Sequence, residues 1–300
     1  MWDMWIGVTI AAAGLQIART ALQHRLRALL SVSGAGFVRY LYGAPVSLIA
    51  VTVCLLAGLD IPAIKARFWP TIAAAGVAQI VGTVFLIRAF DARDFAIGTV
   101  LSKTEVVQVA LFSLVLLGEP LRGGGWIGAV VCTVGVVLMS TRGKRLRWAS
   151  LREPTSLFGL AAGGMLGLAA IGIRAASGAM DDASPAAFRA LVGLAVMNAM
   201  QALIHGSYIG IRRSERAQVG LALRHWRSSA IVGLLSVCGS ACWAIALALE
   251  NAAKVRTLGQ VELLFAFAVS TWWLKDRHSR AEYVASALIV GGVLGVMIAG

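Results

Sequence analysis

Ser102-Lys103-Thr104-Glu105 lies inside an apolar run over residues 95–117, where a membrane span would have its centre. A charged side chain at that depth costs about 2.5–3.5 kcal/mol on insertion scales, so two of them need a reason. At helical spacing Ser102, Glu105 and Gln108 fall at i, i+3 and i+6 and make a polar stripe along one face. A second apolar run, over residues 255–274, carries Gly259-Gln260-Val261-Glu262, so an acid recurs 157 positions after Glu105. The same offset pairs Leu117 with Leu274, Glu119 with Asp276, Trp126 with Tyr283 and Gly135 with Gly292. Slightly shifted offsets match Arg19 with Arg174 and Arg39 with Arg189. Identity between the halves is low, and the duplication rests on register and pattern.

The rest of the chain tells what medium surrounds these charges. Of its 300 residues 59% are hydrophobic and 14% charged, with a mean hydropathy of +0.81. Soluble globular chains sit near 45–50% apolar and about 25% charged, so this surface belongs in lipid. The fold class is all-α integral membrane. A net charge of +13 then reflects Lys and Arg in loops that orient the spans. No loop is long enough to build the basic face that nucleic acid requires, which excludes that partner. The four cysteines fall within apolar runs and read as small hydrophobes. The four histidines fall near span ends or in loops, so neither a metal set nor a catalytic constellation is expected. No Gly-Lys-Ser/Thr sequence occurs, and no cofactor is expected. Residues 1–5 carry no positive cluster, so no leader peptide is expected either.

Runs of about 20 apolar residues span a bilayer. Ten are predicted, near 4–23, 33–58, 69–90, 95–117, 124–141, 156–178, 185–209, 229–249, 255–274 and 281–299. Five precede and five follow a polar, basic connection at 144–155, which sets off repeats at 1–143 and 156–300. Because five is odd, the second half crosses the membrane in the opposite sense, and inverted repeats of this kind place a transport site at the midplane between them. The loops after spans 1, 3, 5, 7 and 9 carry 17 basic residues against 5 on the other face, where Lys254 and Arg256 are assigned. That asymmetry puts the basic loops in the cytoplasm and both termini outside, in a multi-pass inner-membrane protein.

Glu105-Val106 followed by Leu117-Gly118-Glu119, and Glu262-Leu263 followed by Leu274-Lys275-Asp276, resemble the EamA-like branch of the drug/metabolite transporter superfamily. The resemblance runs over all ten spans. It implies two five-helix repeats around a central cavity and transport of metabolites, often outward. Many members carry a proline after each of these acids. Here valine and leucine stand there, so nothing in these two motifs demands a helix break. Lys103 adds a charge that most members lack. Relatives usually keep both termini inside, against the loop charges of this chain.

Arg19, Lys103, Glu105, Arg174 and Glu262 are all placed within the membrane, and at about 3 kcal/mol each they must pair or face water. Lys103 and Glu105 point about 200° apart on a helix and do not meet, so Lys103 is expected to reach another helix. Span 1 adds Gln16 on the Arg19 side, span 3 adds Gln79, and Trp243 sits deep in span 8. Asn198, Gln201, Ser236 and Ser240 read as structural hydrogen bonds between helices. The substrate-binding or coupling set is thus Glu105, Glu262, Lys103, Arg19, Arg174, Ser102, Gln108, Gln16, Gln79 and Trp243. Acids mixed with bases suit an amphoteric, amino-acid-like solute, moved by a secondary transporter in export or exchange. A carboxylate left in apolar surroundings would take up a proton and couple flux to pH, and Glu262, with no base within its own helix turn, is the better candidate. Alternatives are an exchanger of anionic metabolites, an exporter of drug-like compounds and, from another class, a lipid-modifying enzyme. A monomer or a homodimer in the bilayer is expected.

Overall fold

A computed structural model describes residues 4–26, 29–91, 101–141, 154–272 and 279–299. Among the described residues the chain is helical, with one isolated antiparallel bridge between Ile64 and Met180. The helices are α1 (Met4–Leu26), α2 (Val32–Leu56), α3 (Phe68–Asp91), α4 (Glu105–Phe112), α5 (Gly123–Thr141), α6 (Pro154–Ser177), α7 (Ala186–Ile211), α8 (Ala217–Arg224), α9 (Trp226–Leu249), α10 (Ala252–Leu258), α11 (Val261–Trp272) and α12 (Arg280–Ala299). A π-helical turn, Ser113–Leu117, continues α4.

Among the described residues seven helices are long and apolar enough to cross a membrane, and they match seven of the ten expected spans. The other three differ for physical reasons. α1 is long enough, but Gln16, Arg19, Thr20, Gln23, His24 and Arg25 crowd its second half. Spans 4 and 9 are not continuous helices: the first turns at Lys103-Thr104 before α4, the second at Gly259-Gln260 between α10 and α11. The expected connection at 144–155, the basic residues from Arg142 to Arg152, and Leu274-Lys275-Asp276 lie at or beyond the edge of the described residues.

The helices gather into two compact units, and neither coincides with a half of the sequence. One comprises Met1–Val77 and Gly172–Leu249. In it α1 packs along α9, and α2 packs against α7 and α9. Its core is apolar, built on Phe68, Ile72, Met180, Phe188, Leu194 and Met197. Buried polar groups are tied off between helices, as expected for Asn198 and Gln201. The Asn198 amide donates to Ser47 Oγ (3.3 Å) and the Gln201 amide to the Gly76 carbonyl (3.1 Å). Ser236 instead bonds back within its own helix, to the Val232 carbonyl (2.7 Å).

The other unit comprises Ala78–Ile171 and Glu250–Gly300. Its most extensive contact joins α5 and α12, the last helix of each sequence half. Glycines let the two backbones touch. A Cβ on Gly292 would lie 2.3 Å from the Cys132 nitrogen, and one on Gly128 would lie 2.6 Å from the Val296 nitrogen. Without a hydrophobic drive between helices in lipid, such close packing is what holds them. On α6 the glycines face α4: a Cβ on Gly163 would meet the Ser102 carbonyl at 2.8 Å, and one on Gly167 would meet Val109 at 3.0 Å.

Candidate functional site

Both helix breaks are tight turns, and they stand within one residue of equivalent positions in the repeat. In the first, the Thr104 N–H donates to the Leu101 carbonyl (3.2 Å), and the Thr104 hydroxyl bonds the same oxygen (2.6 Å). In the second, Gln260 donates to Thr257 (3.1 Å), Glu262 to Gly259 (3.1 Å) and Leu263 to Gln260 (3.0 Å). These are i→i+3 bonds, the 3₁₀ pattern that marks a hinge or strain within a longer helix. No proline is needed. Thr104 competes for backbone groups with its own side chain, and Gly259 is a poor helix former.

Each break delivers a glutamate into the first turn of the helix that follows, Glu105 in α4 and Glu262 in α11. The positive end of the helix dipole favours a carboxylate there. Each acid then takes a base from the other half of the sequence. Lys103 Nζ donates to Glu262 Oε1, and Arg256 Nη2 donates to Glu105 Oε1. The two pairs are reciprocal: the base of the first half neutralises the acid of the second, and the reverse. Four charges at about 3 kcal/mol each would otherwise cost on the order of 12 kcal/mol in a membrane.

Supporting groups fix this arrangement. The Gln108 amide donates to Thr104 Oγ1 (2.8 Å) and to the Leu160 carbonyl (3.3 Å), tying the first break to α6. Gln260 donates back to the Arg256 carbonyl (3.3 Å) across the second. Asn251 caps α10, the helix that carries Arg256, by accepting from the Ala253 N–H (2.8 Å). Its amide nitrogen reaches Ser113 Oγ (3.3 Å) and the Glu119 carbonyl (3.3 Å) at the end of the π turn. Gly118 closes that turn at φ 68°, a left-handed conformation that favours glycine and accounts for the Leu-Gly-Glu motif.

The ten residues singled out from the sequence fall into the two units. Ser102, Lys103, Glu105, Gln108, Gln79 and Glu262 belong to the second, where all but Gln79 stand at or beside the breaks. Gln79 lies on α3, its carbonyl accepting from Thr83 Oγ1 (2.8 Å). Gln16, Arg19, Arg174 and Trp243 belong to the first. There Trp243 Nε1 donates to Gln16 Oε1 (3.2 Å), and Arg174 donates to the Leu247 carbonyl (2.9 Å) near the end of α9. That unit also holds a recess of about 10 Å³ beside Ser177 and Arg189. It has room for about one water, far below the roughly 300 Å³ of a metabolite site.

Two readings of the sequence are corrected here. Arg256, assigned to a loop because it lies at the edge of its apolar run, sits in α10 and is the partner of Glu105. Glu262 has no base within its own helix turn, as the sequence shows, but it is not left in apolar surroundings, since Lys103 reaches it from the other half. Sequence distance hid both contacts, at 151 and 159 residues. A signal for Arg256 was present in its spacing: it precedes Glu262 by six residues in the same run, with no turn sequence before Gly259.

One crystal structure of another protein matches with a TM-score of 0.73 at 17% identity, covering 98% of this chain and 97% of that one, which identifies a shared fold. No curated protein matches the chain. A family model, described as the EamA-like transporter family, matches twice, over residues 2–141 and 154–298. Matched once along each half of its sequence, this multi-pass membrane protein belongs to the EamA-like transporter family.

Proposed function

We propose that the chain is a secondary transporter of small amphoteric metabolites, amino-acid-like in carrying both a carboxylate and an ammonium. One observation carries the reading: two bases and two acids neutralise one another crosswise at the helix breaks. Such a site has no net charge to attract a simple anion or cation. An amphoteric solute can replace both halves of a pair at once, its carboxylate on Lys103 or Arg256 and its ammonium on the glutamate released. A single charge would strand one protein group, which is costly in low dielectric. Ser102 and Gln108 stand beside the breaks as neutral donors and acceptors. Arg19, Arg174, Gln16, Gln79 and Trp243 complete the proposed set of solute-facing groups.

Within this reading the protein has two inverted five-helix repeats, 1–143 and 156–300, forming ten spans around a central cavity in the inner membrane. The basic loops are cytoplasmic and both termini outside, and the chain works as a monomer or homodimer. Flux is outward or by exchange. Once the solute has left and before the pair has re-formed, a glutamate away from its base takes up a proton, which couples transport to pH.

The test is flux in proteoliposomes with three matched solute sets: amino acids, the same molecules lacking the amine, and the same lacking the carboxylate. Transport of the first set, slowed in Glu105→Gln and Glu262→Gln, supports the proposal. Flux confined to the deaminated acids would favour an exchanger of anionic metabolites instead. If both variants fold and carry solute at the wild-type rate with unchanged pH dependence, the carboxylates are structural and the mechanism is wrong.

A further inference from the structure

α7 and α9 are both long enough and apolar enough to cross a membrane, so the segment joining them lies at a bilayer surface. That segment is ordered around α8, and one face of the helix is docked on the protein. Leu221 and Ala222 pack into a cluster with Leu30, Ala35, Val38 and Val232. The Ser31 N–H donates to Gln218 Oε1 (2.8 Å), and the Ser31 hydroxyl donates to the Glu215 carboxylate (2.7 Å). Leu223 on the helix and Trp226, the first residue of α9, are turned outward, 54% and 57% exposed. Around them stand Arg212, Arg213, Arg216, Arg224 and Arg227, all exposed, against the single acid Glu215, which is committed to Ser31. Arg212 lies over the Tyr208 ring (5.0 Å) and Arg227 over the Trp226 ring (5.6 Å), so each end of the segment pairs a cation with an aromatic of the kind found at membrane interfaces.

We propose that this surface is a docking site for anionic phospholipids, with headgroup phosphates on the arginines and the Leu223 and Trp226 side chains among the upper acyl chains. Two features choose a lipid over a soluble anion. The arginines are strung over residues 212–227 rather than gathered at one point, as befits an array of headgroups. The outward apolar side chains gain only if hydrocarbon covers them. The docked face gives the contact a consequence inside the fold. Ser31 is the N-cap of α2, accepting from the Gly34 N–H (3.1 Å), and a Cβ on Gly34 would lie 2.7 Å from Gln218 Oε1. Lipid held on α8 therefore steadies the start of α2.

The experiment measures how much more strongly spin-labelled phosphatidylglycerol than phosphatidylcholine associates with the full-length protein in reconstituted bilayers. The wild type is expected to prefer the anionic lipid several-fold, with the preference lost in 0.5 M salt. Arg212→Gln/Arg213→Gln/Arg224→Gln/Arg227→Gln should abolish that preference and bring the two lipids to about equal association, since each arginine is worth up to about fivefold at an anionic surface. Arg122→Gln, on an exposed residue of the other unit, should leave it unchanged. Should the quadruple variant fail to fold, Arg224→Gln/Arg227→Gln carries the same test, with about a twofold to fivefold loss expected. Equal association of the two lipids with the wild type, or an undiminished preference in the folded variant, would overturn the proposal. So would full displacement of the labelled lipid by millimolar glycerol phosphate, which would assign the arginines to a soluble phosphate.

Discussion

Replacing Glu105 with glutamine takes from Arg256 the carboxylate that neutralises it in a largely water-free setting. The two side chains are 9% and 17% exposed, so water offers little relief, and the cost should approach the 3–5 kcal/mol of breaking a buried pair, about 3 kcal/mol. Removing both charges together, as Glu105→Gln with Arg256→Met, leaves no stranded ion and should cost no more than about 1 kcal/mol. With Arg256→Met alone costing about as much as Glu105→Gln, the double-mutant cycle should then show a coupling of about 5 kcal/mol between residues 151 positions apart. For Lys103 and Glu262, whose side chains are 22% and 12% exposed, the coupling should be smaller, about 1–2 kcal/mol. Reversible unfolding in mixed detergent–lipid micelles reads all four corners of each cycle. A coupling under about 0.5 kcal/mol, the level found for independent sites, would refute the view that the crossed pairs join the two sequence halves.

Other predictions use the same measurement or a simple reporter. Gly292→Ala should cost about 1–3 kcal/mol or more, because its Cβ would meet the Cys132 backbone, whereas Gly291→Ala, with open space around it, should be neutral. Gly118→Ala should cost about 1–2 kcal/mol through its left-handed conformation, read as a lower unfolding midpoint. Asn251→Ala removes the cap of α10 and should cost about 1 kcal/mol, with a larger loss of transport if that helix positions Arg256. A reporter fused after Gly300 and active only in the cytoplasm should be silent; activity there would show that loop charge does not set the orientation of this chain.

Much of the fold could be read from local pattern. Apolar runs long enough to span lipid appear directly in the order of residues, and seven of them stand as long helices. The acids of the two halves share one register, and the breaks in the structure fall within one residue of it. The repeat offset pairs Gly135 with Gly292, but nothing local shows that the glycines of α5 and α12 bring those two helices into contact. The missing proline pointed away from a break that a threonine, a glycine and 3₁₀ turns produce without it.

The sequence by itself determined the apolar medium, seven of the spans and the duplication, because hydropathy and repeat register are properties of neighbouring residues. Pairing across the halves was decided by the tertiary structure. Nothing local distinguishes Arg256 at the edge of an apolar run from a loop arginine, or says which acid Lys103 will meet. Coulomb attraction depends on distance in space, and only the folded chain brings residues 103 and 262, and 105 and 256, within reach of each other.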